Sequence, residues 1–261
     1  MDSEPIAVQA CPPMRVLYRD DLVLAVDKPA GVLVIPGRGE EQGQPLSKQV
    51  QAIAPGALVV HRLDRDTSGI VVFALTAAAH RALNQAFESR RAEKTYLALA
   101  RGDLAAPVRC DLPLVEGRRG TMRVADAGNP RARRARTDFA PLERFGEVTF
   151  CTCRPFTGRT HQIRVHLAAL GHPLLVDPRY GESRPVLRRH LLPGSADPDA
   201  VALARTPLHA AALRLPHPRR GFLQVEAPLP DDLASCLELL RAARRETAIN
   251  SSRAPASLRR P

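Results

Sequence analysis

A polar segment directly before a continuous apolar run is the feature that most constrains this chain. Residues 69–75 (GIVVFAL) are almost entirely apolar, which is typical of a strand buried on both faces. The preceding segment 61–69 (HRLDRDTSG) is dense in charge, and in an extended chain Arg62 and Asp64 fall on one face, opposite Leu63. A buried strand does not need a charged segment directly before it for stability. The segment is therefore a candidate functional site, with an ion-paired turn as the alternative.

Short predicted strands dominate the rest of the chain, and they do not alternate regularly with helices. Threonines offer caps for two predicted helices, Thr76 for 77–90 and Thr160 for 161–170, and a third helix begins at Asp231 and continues to about residue 245. This order favours an α+β fold with a mixed or antiparallel sheet over a doubly wound fold. Strands are predicted at residues 16–18, 22–26, 32–35, 69–75, 94–100, 137–142, 147–154, 208–215 and 222–227.

Between these elements the composition predicts turns and loops. Residues 28–31 (KPAG) predict a turn, because Pro fixes φ and Gly accepts positive φ. Residues 103–135, which are rich in Arg, Gly and Pro, predict loops with short strands, and residues 181–205 predict a surface insertion.

One catalytic domain over residues 14–247 is expected, between disordered tails at 1–13 and 248–261. No run of about 18 apolar residues indicates a membrane helix, and the first residues do not resemble a secretory signal. The five cysteines include Cys151 and Cys153, which would share one side of a strand and pack there. Their spacings predict no metal site, and we expect a reducing cytoplasm.

The net charge points to a polyanionic partner. Lys and Arg number 38 against 27 Asp and Glu, which gives a formal charge of +11 and a pI near 10.4. Only ten residues are aromatic, seven Phe and three Tyr, so a broad base-stacking platform is not expected. Affinity for a nucleic acid should therefore come from arginine–phosphate contacts.

A second polar cluster, GRTHQIRVHL at residues 158–167, precedes and enters the predicted helix. A glycine before a helix N-terminus exposes backbone N–H groups and suits an anion, and Arg164 in the first turn could meet a carboxylate. The alternative is a basic amphipathic helix on the surface. Three histidines here, His161, His166 and His172, are five and six residues apart, which does not suit metal binding.

No phosphate loop, dinucleotide fingerprint, zinc-protease motif or serine-hydrolase elbow occurs in the sequence. HRLDRDTSGIVVFAL instead resembles the signature of the RluA-type RNA pseudouridine synthases. Further blocks in the family order are VLYRDDLVLAVDKPAGVLVIPG, KTYLALARG, GRTHQIRVHLAALGHPLLVD and PLHAAALRLPHP, so that the resemblance covers about residues 16–232. The layout without an N-terminal S4-type RNA-binding module resembles the type member of this family.

The resemblance implies the pseudouridine synthase fold, an α+β fold with a mixed, mostly antiparallel sheet, flanking helices and a central basic cleft. It also implies an isomerisation of uridine in RNA, with no cofactor and no metal. Asp64 matches the family's catalytic aspartate, Tyr96 the tyrosine that packs against the target uracil, and Arg164 the basic residue that pairs with the aspartate. RNA contacts are expected from six further residues: Arg62, His61, Thr67, Lys94, Arg159 and His161. The expected partner is a ribosomal or transfer RNA stem-loop, bound by a cytoplasmic monomer.

Two departures and two competing functions remain open at this point. Val176-Asp177 stands where the family usually has Gly-Asp, and the 181–205 insertion is particular to this chain. One competing function is a non-catalytic RNA-binding or RNA-folding protein on the same fold. The other is a hydrolase built on Ser68, His61 and Asp66, which lacks the usual elbow for its nucleophile.

Overall fold

A computed structural model describes residues 14–37 and 43–253 of this chain. Its chain contacts divide the protein into two compact units. Unit 1 comprises the chain up to Glu93 together with Ala210–Ala227, and unit 2 comprises Lys94–His209 together with the chain from Pro228 onward. The expected tail at 1–13, and residues 254–261 of the expected tail at 248–261, lie outside the described residues.

The elements are short, as the sequence predicts, and one turn of 3-10 helix lies at Arg118–Gly120. The strands are β1 (Arg15–Arg19), β2 (Val23–Lys28), β3 (Leu58–Val59), β4 (Ser68–Ala74), β5 (Glu93–Arg101), β6 (Val108–Cys110), β7 (Leu114–Glu116), β8 (Met122–Val124), β9 (Thr137–Arg144), β10 (Val148–Pro155), β11 (Val186–Leu187), β12 (Val201–Leu203), β13 (Leu208–Pro216) and β14 (Phe222–Glu226). The helices are α1 (Leu46–Ile53), α2 (Ala77–Glu88), α3 (Gln162–Ala169), α4 (Arg188–Leu191) and α5 (Asp231–Arg253).

Unit 1 is built on antiparallel pairs around β4, which is buried along its whole length. Strand β2 joins β4 over six residue pairs, from Val23 opposite Ala74 to Lys28 opposite Gly69. β1 and β2 form the predicted hairpin, whose turn is stabilised because the Asp20 carboxylate accepts the backbone N–H groups of the residues at 22 and 23. Helix α2 starts as predicted, because the Thr76 hydroxyl accepts the N–H of its third residue at 3.1 Å.

In unit 2 the strands pair antiparallel in the order β5, β10, β9, β6. Alternate residues of β5 enter two different cores: Tyr96 and Ala98 face one, and Leu97 and Leu99 face the other. The first core also holds Cys151, Cys153, Phe139, and Ile163 and Leu167 of α3. The second holds the inner face of α5, formed by Leu233, Cys236, Leu237 and Leu240. The two helices thus cover opposite faces, which confirms the α+β prediction and the packing role of Cys151 and Cys153.

One predicted strand is wrong, and the prediction for residues 181–205 is only partly correct. Residues 32–35 do not form a strand, although Val32 and Val34 are buried, because this segment caps α1 instead. The carbonyls of Leu33 and Val34 accept the N–H groups of Leu46 and Ser47 at 2.8 and 2.9 Å. Residues 181–205 are mostly exposed, as predicted, but the segment is anchored in the protein interior. Val186, Leu191 and Leu203 are buried in the second core of unit 2.

Two helix boundaries also differ from those predicted. Thr160 does not cap α3, because the helix begins one residue later and His161, in a left-handed conformation at φ 52°, occupies the N-cap position. Helix α5 continues to Arg253, six residues into the segment expected to be a tail. Ala, Glu and Arg in RRETAIN favour helix, so nothing in that segment ends it.

No helix within the described ranges is long and apolar enough to cross a membrane. Cys110, Cys151, Cys153 and Cys236 are all buried free thiols.

Gly69 is fixed by a close approach of β13. Its φ is +110°, and a Cβ built there would lie 2.3 Å from the carbonyl oxygen of Ala210. We expect Gly69→Ala to lower the free energy of unfolding by about 3 kcal/mol or more, because both backbone strain and a backbone clash oppose it. Urea titration followed by circular dichroism measures this.

Gly31→Ala is the matched control, because Gly31 also has a positive φ, +83°, but open space where a Cβ would lie. Its loss should be about 1–2 kcal/mol from strain alone. Equal losses in the two variants would contradict the close approach at Gly69.

Candidate functional site

The 61–67 segment leads into β4 of unit 1 as an anchored turn. Leu63 is buried, and Thr67, which is 2% exposed, donates its N–H to the Asp64 carbonyl at 3.2 Å. The Asp64 side chain is half-buried, and Arg62 is exposed. The predicted alternation is thus present, because Leu63 is buried and its neighbours Arg62 and Asp64 are both more exposed. The burial of Thr67 argues against its predicted direct contact with RNA.

A fully buried lysine supports this turn. Lys28, at the end of β2, is 0% exposed, and its Nζ donates to the carbonyls of Pro29, Val32 and Arg65 at 2.8 to 2.9 Å. An ammonium has three hydrogens, so three carbonyls satisfy it fully and offset the cost of burying its charge. Lys28 therefore ties the turn at 28–31 to the residue that directly follows Asp64.

Arg65 is also joined to Gly31 in both directions. The Gly31 N–H donates to the Arg65 carbonyl at 2.9 Å, and the Arg65 Nε donates to the Gly31 carbonyl at 3.1 Å. The turn predicted at residues 28–31 is confirmed, with Gly31 at positive φ. With Leu63 buried on one side and Arg65 held on the other, little backbone freedom is left at Asp64.

His61 and Ser68, which flank the turn, are packed into unit 1. The His61 ring stacks on Phe87 with centroids 4.6 Å apart, and its Nε2 accepts the Val72 N–H at 3.1 Å. Ser68 is 2% exposed within β4. A hydrolase nucleophile must be reachable by its substrate, so the burial of Ser68 argues against the hydrolase alternative. The contacts of His61 support a packing role rather than the predicted RNA contact.

In unit 2, Arg164 meets a buried carboxylate, as the sequence predicts, but that carboxylate belongs to Asp177, which the sequence analysis did not name as a partner. Its Nε and Nη2 donate to the two carboxylate oxygens of Asp177 at 2.8 and 2.6 Å, and the side chains are 7% and 0% exposed. Burial alone would raise the pKa of Asp177, but the hydrogen bonds and charge of Arg164 outweigh it and hold that pKa below its usual range. The alternative of a basic amphipathic surface helix is wrong, because α3 is buried from Gln162 to Leu167.

Asp177 also organises the turn that follows it. Its Oδ1 accepts the backbone N–H groups of Arg179 and Tyr180 at 3.0 and 3.2 Å. Sequence reasoning noted this aspartate only for the valine before it. The signal that could have found it is its position at the end of the 158–177 block, where a buried arginine requires an acid. Two N–H groups of Arg164 are thus fixed by Asp177.

Gln162 is another residue that sequence reasoning missed. Its amide oxygen accepts the Thr157 hydroxyl at 2.6 Å and the Arg159 N–H at 3.1 Å, while its amide nitrogen donates to Arg136 and Thr137. These bonds fold the 157–161 loop against α3. The loop N–H groups are therefore partly used internally, which weakens the case for an anion site at this helix end.

His166 is a core histidine with no exposed surface, which its spacing did not predict. Its ring nitrogens hydrogen-bond with the Thr137 hydroxyl and the Leu112 carbonyl, both at 2.9 Å, and burial lowers its pKa. Within the described residues, no group of three or more His, Cys, Asp or Glu side chains has a metal-binding arrangement.

Tyr96 and Lys94 lie on β5 in unit 2. Tyr96 is half-buried against the core that also receives α3, so its ring lies on the same side of the sheet as the helix that carries Arg164. The Lys94 Nζ donates to the Thr157 carbonyl at 3.2 Å, and burial lowers the pKa of Lys94 to about 8. Arg159 is exposed, and its Nε donates to the Arg134 carbonyl at 3.3 Å.

The sequence-predicted residues therefore fall into two groups. His61, Arg62, Asp64 and Thr67 share one loop of unit 1, whereas Lys94, Tyr96, Arg159, His161 and Arg164 belong to unit 2, on β5 and around the start of α3.

Comparison with known proteins gives one consistent result. A family described as "RNA pseudouridylate synthase" matches residues 22–169. Curated relatives include the ribosomal large subunit pseudouridine synthase D of Nitrosomonas europaea, 41% identical over 88% of this chain and 66% of its own length. The synthase D of Vibrio vulnificus and the synthase C of Escherichia coli K12 are each 38% identical over 88% of this chain, and 71% and 70% of their own lengths are covered.

Solved structures agree on the fold. Human RNA pseudouridylate synthase domain containing 1 superposes with a TM-score of 0.68 at 29% identity, over 93% of this chain and 98% of its own. Human RNA pseudouridylate synthase domain containing 4 gives 0.71 at 24% identity, over 87% and 93%. The family match covers more than half of the chain, and the Vibrio relative is covered over more than two thirds of its length. The chain therefore belongs to the RNA pseudouridylate synthase family, as its resemblance to the RluA-type members predicted.

Proposed function

We propose that this protein isomerises specific uridines in structured RNA to pseudouridine, with Asp64 as the catalytic carboxylate. In this reaction the bond between C1′ of the ribose and N1 of uracil breaks, the base turns, and a bond forms between C1′ and C5. The C5 proton leaves and N1 gains a proton, so atoms and electrons balance without an oxidant, a reductant or a second substrate. An ionised carboxylate suits the first step, either as a nucleophile at C1′ or as a base at the sugar.

Large-subunit ribosomal RNA is the substrate that the relatives favour. The relatives from Nitrosomonas, Vibrio and Escherichia are named for that RNA. The chain spans 66 to 71% of their lengths, so their specificity enters here as a proposal. A transfer RNA stem-loop is the second substrate class. We further propose that the protein acts in the cytoplasm as a monomer.

The observation that carries the proposal is the anchoring of the backbone on both sides of Asp64. Leu63 is buried before it, and the Arg65 carbonyl after it accepts both the Lys28 ammonium and the Gly31 N–H. Catalysis requires a reacting group whose position is fixed before substrate binds, because holding it in place then costs little at the transition state. A loop that only bound RNA would not need a half-buried carboxylate held in this way.

Arg164 and Tyr96 have supporting roles in this proposal. Arg164, already held by Asp177 through two N–H groups, would use others to keep Asp64 ionised and oriented. Tyr96 would pack against the uracil and could pass on the C5 proton. The exposed guanidinium of Arg62 would hold a phosphate or occupy the space that an extruded base leaves.

The competing function is a non-catalytic RNA-binding protein on this fold. The basic charge of +11 fits both functions. The buried Arg164–Asp177 pair favours the enzyme. A surface that only attracts phosphate does not need a buried arginine whose orientation is fixed by a buried aspartate.

The reaction is tested by release of tritium from RNA labelled at C5 of uridine. We expect the wild-type protein to release tritium from ribosomal RNA and Asp64→Asn to lose at least about 10³-fold in rate, because the amide keeps the shape of the side chain but cannot act as nucleophile or base. Asp66→Asn, two residues away in the same turn, is the matched control and should stay within about threefold of wild type.

Each outcome of that assay decides between the two functions. Release by wild type and Asp66→Asn but not by Asp64→Asn supports the proposal. RNA binding without release by any form would instead establish the RNA-binding function. Equal release by all three would show that Asp64 is not the catalytic carboxylate.

The pKa of Lys94 gives a second, independent prediction. Burial lowers that pKa to about 8, so between about pH 7 and pH 8.5 the charged fraction falls about fourfold. If the ammonium of Lys94 contacts an RNA phosphate, KM for RNA should rise about fourfold over this range at constant salt.

Lys94→Arg is the control for this pH dependence, because a guanidinium stays charged throughout the range. Its KM should be nearly flat between the same two pH values. A wild-type KM that does not change with pH, or the same rise in wild type and Lys94→Arg, would contradict an RNA contact by Lys94.

A further inference from the structure

Tyr180 connects three parts of unit 2 that the proposed reaction uses or approaches. Its hydroxyl accepts the N–H of Met122 in β8 at 2.9 Å and hydrogen-bonds with Nδ1 of His161 at 2.8 Å. The guanidinium carbon of Arg164 lies 5.2 Å from the centroid of its ring. The backbone N–H of Tyr180 donates to Asp177, the partner of Arg164. One side chain therefore contacts a hairpin, a helix start and the buried ion pair.

The hairpin that Tyr180 holds is short and basic. Strands β7 and β8 pair over only three residues each, from Leu114 opposite Val124 to Glu116 opposite Met122. A two-stranded hairpin of this size is marginally stable by itself, so its placement depends on what its base packs against. That base is a small cluster in which Leu114 and Val165 are buried and Tyr180 is partly buried. Arg118 and Arg123 are exposed on the hairpin.

The second hydrogen-bond partner of the Tyr180 hydroxyl, His161, has a strained backbone. His161 has φ 52°, a left-handed conformation that costs a non-glycine residue of the order of 1 kcal/mol or more, and it directly precedes α3. Its ring also meets Tyr180 edge-on, with centroids 5.5 Å apart. The hydroxyl therefore joins the β7–β8 hairpin to His161, whereas Arg164 is held separately by Asp177.

Packing alone does not require a tyrosine here. A phenylalanine would fill the same space and present the same ring to Arg164, whereas the hydroxyl must be desolvated and is placed where it meets two polar groups. Burial raises the pKa of Tyr180, so the phenol stays protonated and keeps its hydrogen across the neutral range. The hydroxyl and the ring thus have different partners.

We propose that Tyr180 is a positioning residue with two separable roles. Its hydroxyl holds the β7–β8 hairpin against His161, so that the hairpin arginines can bind RNA phosphates. Its ring supports the guanidinium of Arg164. This inference rests on the proposed function, since that function assigns RNA binding to the hairpin and a role in uridine isomerisation to Arg164. Both the RNA contacts of the hairpin and the placement of Arg164 then depend on the Tyr180 side chain.

Two substitutions separate the roles. Tyr180→Phe removes only the hydroxyl, so we expect KM and the RNA dissociation constant to rise about fivefold to tenfold while kcat stays within about twofold of wild type. Tyr180→Leu removes the ring as well, so kcat should fall by about tenfold or more in addition. Tritium release gives kcat and KM, filter binding gives the dissociation constant, and thermal unfolding shows that each variant is folded.

Tyr18→Phe is the matched control. Tyr18 also donates its hydroxyl to a neighbour, Asp20 at 2.8 Å, but it belongs to the β1–β2 hairpin of unit 1, whereas Tyr180 and its partners belong to unit 2. We expect wild-type kcat and KM for this variant.

Wild-type kinetics in Tyr180→Phe would overturn the inference. So would equal losses of kcat in Tyr180→Phe and Tyr180→Leu with KM unchanged, or losses that only follow a lower melting temperature. If the wild-type protein released no tritium, the proposed reaction would fail, and filter binding would decide the hairpin role: weaker RNA binding by Tyr180→Phe but not by Tyr18→Phe supports it, and equal binding overturns it.

Discussion

The three hydrogen bonds of the Lys28 ammonium are the interaction on which the rest of the account depends. A lysine with no exposed surface is unfavourable unless its charge is solvated by the protein, and here three carbonyls do this. Two of those carbonyls belong to the turn that follows β2, and the third belongs to Arg65, directly after Asp64. The cost of burying the charge is thus offset only when the two loops lie together. Removing the amine would leave three carbonyls without this donor, among them the buried carbonyl of Val32.

A buried charged side chain that holds part of the candidate site occurs in each unit. Unit 1 fixes the loop of Asp64 with a buried cation and neutral carbonyls, and unit 2 fixes Arg164 with a buried carboxylate. In unit 1 the backbone next to Asp64, and in unit 2 the Arg164 side chain itself, is held by a fully buried polar group. Buried polar networks that are fully satisfied are rigid, because every alternative arrangement leaves a charge or a dipole unpaired. Such rigidity suits a reaction in which a base must leave the RNA stack, turn and bond again at one carbon.

Local patterns were enough to predict much of the fold. The apolar run of β4, the Thr76 cap of α2 and the β1–β2 turn are each specified within a few neighbouring residues, and the structure has all three. The errors arose where distant partners decide the outcome. Residues 32–35 have the apolar composition of a strand but cap α1, and the 181–205 segment looks polar along the chain but places three large apolar side chains in a core.

The candidate site shows the same division. Asp64, Tyr96 and Arg164 were identified through family motifs, and their roles remain a proposal. Lys28 was predicted only as part of a turn, Asp177 only as an aspartate after an unusual valine, and Gln162 was not singled out. Each of these supports the site through contacts 5 to 37 residues away in sequence, and no local pattern shows which distant group a buried polar side chain will meet.

The most direct test of the account is a map of pseudouridines in cellular RNA. In cells that lack this gene, at least one pseudouridine of the large-subunit ribosomal RNA, or of a transfer RNA, should be replaced by uridine. The wild-type gene should restore it, and the Asp64→Asn gene, expressed to the same level, should not. An identical pseudouridine map with and without the gene, or full restoration by Asp64→Asn, would contradict the account.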